Sequence, residues 1–107
     1  MSFVLDICNE SLITDPTDLQ IRQALLGLDL GKDSAFVILG PSEDDGTFLQ
    51  ASGDPSDGFS IEYQGSSAGL FRATNDFNAE QLIAALIYYR NGINDWRVFS
   101  PWEPVEL

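Results

Sequence analysis

The chain has 107 residues, 44% hydrophobic and 11% aromatic, which is enough apolar surface for a single packed domain spanning 1–107. Five Lys and Arg against 17 Asp and Glu leave a net charge of −12. That balance argues against nucleic acid, whose phosphates need a basic footprint, and against anionic membrane surfaces. It would steer a basic protein toward the chain.

Phe3 to Cys8 is a short apolar segment that reads as a strand. Cys8 is the only cysteine, so no internal disulfide can form, and a buried structural thiol in a reducing compartment is expected. The N-terminus lacks the basic region and long apolar stretch of a signal peptide, so the cytoplasm is the expected location.

The first helix is marked by Asp15 as cap, Pro16 at the first helical position and Asp18 in the first turn. Ile21, Leu25 and Leu28 form its apolar stripe, and Gly31 lies just past its end. Ser34 to Leu39 is a continuous apolar run, the pattern of a central strand covered on both faces. Three more strands follow, Thr47–Ser52, Phe59–Gln64 and Leu70–Thr74, separated by glycine-containing turns. The middle one alternates cleanly: Phe59, Ile61 and Tyr63 against Ser60, Glu62 and Gln64.

The second helix has Asn78 as N-cap, Gln81 completing a capping box, and Phe77 and Leu82 at the staple positions. Leu82, Ile83, Leu86 and Ile87 make its buried stripe, and Asn91–Gly92 ends it. The fold class is therefore α+β: an antiparallel four- to five-stranded meander sheet with two helices packed on it, in two layers.

There is no histidine, which removes the commonest general base and metal ligand and excludes Ser-His-Asp and Cys-His mechanisms. No P-loop or dinucleotide-binding glycine pattern is present, so neither an enzyme, a cofactor nor a metal is expected. The acidic turns Ser42–Gly46 and Asp54–Gly58 read as turn formers; neither has the ligand spacing of a calcium loop.

In a meander these two turns lie at opposite ends of the sheet. The end holding Asp54 and Asp57 should also gather Asp29, Asp33, Asp76 and Glu80, against Lys32 alone. This rim is a candidate partner-binding site, set against the plainer reading that Asp76 and Glu80 complement a helix dipole. The opposite end holds Glu43, Asp44 and Asp45, nearer Arg90. Arg72 and Arg90 are expected to pair with surplus acids. Of the tail aromatics Trp96, Phe99 and Trp102, at least two should close the core, with Trp102 the candidate exposed anchor.

Thr47–Ala73 and Leu82–Glu103 together resemble small immunity proteins of bacterial polymorphic-toxin and contact-dependent competition systems. The resemblance rests on the strand ending in Glu62-Tyr63 and its glycine turn, the amphipathic helix, the Tyr89–Gly92 step and the Trp-rich tail. It implies a cytoplasmic antidote that binds a cognate toxin domain and occludes its active site or substrate path; separately, a monomer or weak dimer is expected. A basic nuclease toxin would suit the charge. Two alternatives stand beside it: a phage-type acidic inhibitor or nucleic-acid mimic, and a small ligand-binding domain.

Overall fold

A computed structural model describes residues 2–8, 11–27, 36–42, 46–55, 58–65 and 69–105, the side chain of Asp54 excepted. The chain runs β1 (Phe3–Ile7), β2 (Ser11–Thr14), α1 (Asp18–Leu26), β3 (Phe36–Pro41), β4 (Phe48–Asp54), β5 (Gly58–Gln64), β6 (Leu70–Ala73), α2 (Ala79–Arg90), a 3-10 helix (Asn94–Phe99) and β7 (Trp102–Pro104). The class is α+β, as expected, but the antiparallel sheet has seven strands in the order β2-β1-β3-β4-β5-β6-β7. The two strands beyond the expected five are its two edges. An edge strand can be short and can carry a proline, because one row of its backbone groups faces outward and needs no ladder partner. Both features hide such strands from pattern reading: β2 has four residues, and β7 has three and ends in Pro104.

The start of α1 also differs. Thr17, not Asp15, is the N-cap; its hydroxyl accepts the Gln20 N–H while the Gln20 side chain accepts the Thr17 N–H. Asp15 finishes β2 instead. It adopts φ +51°, donates its N–H to Phe3 O at 2.7 Å and accepts the Phe3 N–H on its carboxylate. A short polar side chain that can bond locally is one of the few that tolerate this backbone region. Within α1, Ile21 and Leu25 are fully buried. The helix ends at Leu26, and Leu28 and Gly31 lie outside the described residues.

The second helix follows its sequence signals closely. Asn78 and Gln81 form the reciprocal capping box, Phe77 and Leu82 are buried, and Gly92 takes φ +73° just after the end. Leu82, Ile83, Ala85 and Leu86 face inward, with Ile87 half-buried. The two helices lie antiparallel. Arg22 of α1 meets Glu80 at the start of α2, and Arg90 at the end of α2 meets Asp18 at the start of α1. Arg90 also donates to Pro16 O, and Arg72 pairs with Glu103 across β6 and β7.

One core lies between sheet and helices. Leu5, Val37, Leu39, Leu49, Ala51, Phe59 and Ile61 supply the sheet side; Ile21, Leu25, Leu82, Ile83 and Leu86 supply the helix side. Each large apolar side chain fully buried here stabilises the fold by about 1.5–3 kcal/mol. Phe59 and Phe77 exchange two backbone hydrogen bonds, at 2.8 and 2.9 Å, which clip the segment preceding α2 onto β5.

The aromatic tail closes one end of this core. Trp96 is 3% exposed, and its ring makes edge contacts with Tyr63, Tyr89 and Trp102. Tyr88 and Tyr89 are both half-buried, against Phe99 and against Phe3 and Trp96 respectively. Cys8 is half-buried, its thiol donating to Phe36 O. No helix among the described residues is long and apolar enough to cross a membrane.

Candidate partner-binding face

Alternation along each strand divides the sheet into two faces. Residues of the core cluster point toward the helices, so Val4 and Asp6, Phe36 and Ile38, Phe48, Gln50 and Ser52, and Ser60, Glu62 and Gln64 point the other way. No described element lies on that second face. The sequence pattern of β3 suggested cover on both sides. The structure instead shows a strict alternation, with Val37 and Leu39 buried under the helices and Phe36 and Ile38 half-buried on the open face. Apolar character on both sides of a strand reports hydrophobic demand; it does not report which layer meets it.

Register assembles the open face into rows. Asp6 stands opposite Leu12 on one side and Ile38 on the other; Ile38 is opposite Gln50, Gln50 opposite Glu62, Glu62 opposite Arg72, and Arg72 opposite Glu103. This row crosses all seven strands, roughly 29 Å for six steps of about 4.8 Å. Directly opposed side chains on one face are close enough to interact. Accordingly Gln50 Nε2 donates to Glu62 Oε1 at 3.1 Å, and Arg72 bonds Glu103 at 3.3 Å. Parallel rows hold Phe36, Ser52 and Ser60 toward one end, and Val4, Gly40 and Phe48 toward the other.

Two depressions mark this face, and they meet at Ile38. One, of about 330 Å3, is lined by Phe36, Ile38, Gln50, Ser52, Ser60 and Glu62. The other, of about 620 Å3 and more open, lies over Val4, Asp6, Leu12, Gly40 and Phe48. Leu12, at the sheet's edge, is 71% exposed. The face thus combines aliphatic and aromatic side chains with carboxylates and hydroxyls, the composition of a protein-contact patch more than of a bare solvent face.

The acidic rim is assembled in part. Asp76 is exposed beside the β4–β5 hairpin: a Cβ placed on Gly58 would lie 3.8 Å from that of Asp76. Asp54 ends β4 opposite Gly58. Asp29, Asp33 and Asp57 lie outside the described residues, as do Lys32, Glu43, Asp44 and Asp45. Glu80, in the first turn of α2, is already paired. Arg22 reaches it with both guanidinium nitrogens, at 2.9 and 3.0 Å. Sequence spacing could not find this pair, because its partners are 58 residues apart and meet through helix packing.

Trp102 is half-buried. Its indole N–H donates to Arg97 O, and its ring packs on Tyr63, Phe77 and Trp96. Arg97 lies over both Tyr63 and Trp96, 5.1 Å from each ring centre, in cation–π geometry. Among the described residues no three metal-ligating side chains converge, and no buried side-chain polar atom lacks a hydrogen-bond partner.

The bidentate bond with Arg22, and then its positive charge, hold the Glu80 carboxyl below its ordinary value of 4.5. A depressed carboxyl contributes stability above its unfolded value and loses it as pH falls through the folded one. The stability difference between the wild-type chain and Glu80→Gln should therefore be present at pH 7 and shrink below about pH 4.5. Urea titrations at pH 7, 4 and 3 measure it, and a difference that grows on acidification would contradict the pairing. Both groups lie at the surface, so the difference should also shrink in high salt.

Compared with protein-family models, curated proteins and solved structures, the chain has no match.

Proposed function

We propose that this chain is a protein inhibitor of the immunity type, which seats a basic toxin domain on its open sheet face and covers that domain's active site in the cytoplasm. The observation that carries the reading is the placement of Phe36 and Ile38, the outward half of an apolar strand, on a face that no described layer covers. Ile38 stands in one row with Asp6, Glu62 and Glu103, and Phe36 in the next with Ser52 and Ser60, on a chain of net charge −12. Apolar anchors supply contact area, and the surplus negative charge speeds encounter with a positively charged partner. The resemblance of Thr47–Ala73 and Leu82–Glu103 to small immunity proteins adds the class of partner.

Phosphate mimicry is less well supported. A strip of phosphates needs repeated like charges, whereas the longest open-face row places an isoleucine, a glutamine and an arginine between its acids.

The test begins with capture of the partner from the source cell on immobilised protein, followed by stopped-flow binding of the purified pair. A one-to-one complex of about nanomolar Kd or tighter is expected, with an association rate that falls as salt rises. Ile38→Lys should weaken it at least about 100-fold while leaving the thermal midpoint nearly unchanged, since the residue faces away from the core. An acidic partner, a salt-independent association rate, or full affinity in Ile38→Lys would each overturn the proposal.

A further inference from the structure

Glu62 is distinctive among the open-face acids. It lies half-buried in the middle of the sheet, in the smaller depression, with aromatic and aliphatic side chains on one flank and hydroxyls on the other. One carboxylate oxygen accepts from Gln50 Nε2. The nearest cation in register, Arg72, is directed to Glu103 instead, so the second oxygen of Glu62 meets no cation among the described residues. A carboxylate drawn partly out of water without a counter-charge has a strong demand for one.

The depression offers further acceptor atoms. The Gln50 amide uses its nitrogen on Glu62 and so leaves its oxygen available, and the Ser52 and Ser60 hydroxyls stand opposite each other on β4 and β5. Acceptors spread over two strands suit a planar group with several diverging donors better than a compact ammonium. Phe36 and Ile38 provide the apolar wall along which a methylene stem can lie.

We propose that this depression is a socket for one arginine side chain of the partner, its stem against Phe36 and Ile38 and its guanidinium on Glu62. The inference rests on the reading of the open face as the docking surface and specifies the residue type that the surface selects. It is local, and it can be tested without the partner.

Isotope-labelled protein would be titrated with N-acetyl-arginine amide, with its lysine counterpart, and with N-acetyl-citrulline amide, which keeps the shape and loses the charge. Saturable amide shifts are expected at Gln50, Ser52, Ser60 and Glu62, with a Kd on the order of millimolar for so small a ligand. The lysine amide should bind at least about 3-fold more weakly and the citrulline amide should not saturate. Glu62→Gln should weaken arginine binding at least about 10-fold, whereas Glu80→Gln, in the helix layer behind the sheet, should leave it unchanged. Shifts scattered over the chain, equal binding of citrulline, or full binding by folded Glu62→Gln would overturn the socket. The citrulline comparison needs no variant and so stands even if Glu62→Gln does not fold. Failure here with a positive Ile38→Lys result on the captured partner would remove the arginine socket and leave the docking face intact.

Discussion

Phe59→Ala is expected to lower the unfolding free energy by about 3–5 kcal/mol, the transfer loss of a buried ring plus the cavity it leaves. For a domain of this size the total is about 5–15 kcal/mol, so the variant should sit near its folding limit at 37 °C. Phe59 has no exposed surface and lies at the point where three constraints meet. Its side chain belongs to the core cluster that α2 closes. Its backbone exchanges two bonds with Phe77, and its strand pairs β4 residue for residue as far as the hairpin turn. A cavity there cannot be filled by collapse of one wall without moving the clip that positions the capping box of α2. Phe48→Ala is the control, because that ring is half-buried on the open face. Its loss should be clearly smaller in the same urea titration, and equal losses would mean that the two faces are not as distinct as described.

The elements that could be read from sequence are those whose information is local. The capping box of Asn78 and Gln81 needs four residues, and the alternation of Phe59 to Gln64 needs six; both were legible and both formed. The start of α1 was misplaced by two residues because Asp15 and Thr17 are both good caps, and the choice was made by a long-range bond from Asp15 to Phe3. The edge strands were missed for a related reason. A four-residue segment such as Ser11–Thr14 has little pattern of its own and becomes a strand because β1 offers it a ladder.

The candidate face was illegible for a stronger reason. Its long row joins residues 6, 12, 38, 50, 62, 72 and 103, and that set is determined by turn geometry and register. A slip of one residue in any strand would send its members into the core. The sequence did carry one usable hint, the apolar excess of Phe36 and Ile38 beside Val37 and Leu39. It was read as a sign of a second covering layer within the chain; in the function proposed above, a partner outside the chain meets that demand.

Electrostatics follows the same division between structure and display. Arg22 and Arg90 join α1 to α2, Arg72 joins β6 to β7, and Arg97 covers Tyr63 and Trp96. Four of the five cations in the chain are thus used to hold elements together. Each neutralises one acid at most, so most of the surplus negative charge is left to act on what approaches. Exposed pairs of this kind stabilise weakly, roughly 0–1 kcal/mol each, so their effect on the fold is small beside the core. Their consumption of the cations matters more for the long-range field, which would steer the basic partner proposed above.

Gly53→Ala should be nearly as damaging as the loss of the Phe59 ring, at about 3 kcal/mol or more, although it adds one methyl group and removes nothing. Gly53 stands opposite Phe59 with φ +140°, a region closed to residues with a Cβ. A Cβ there would fall 2.1 Å from Gly58 O and 3.0 Å from Phe59 Cα, both backbone atoms that no side-chain rotation can clear. Gly46→Ala separates the two contributions, because Gly46 also has a positive φ, +83°, but a Cβ on it meets nothing within 4 Å. That variant should lose about 1–2 kcal/mol, the dihedral cost alone. If the two alanine variants unfold at the same urea midpoint, the close approach of β4 and β5 at Gly53 is wrong. Because relieving the clash must shift the strand that carries Phe59, the Gly53→Ala, Phe59→Ala double variant should lose less than the sum of the singles, by about 0.5–3 kcal/mol of coupling. Strict additivity would mean that the hairpin yields without disturbing the core behind it.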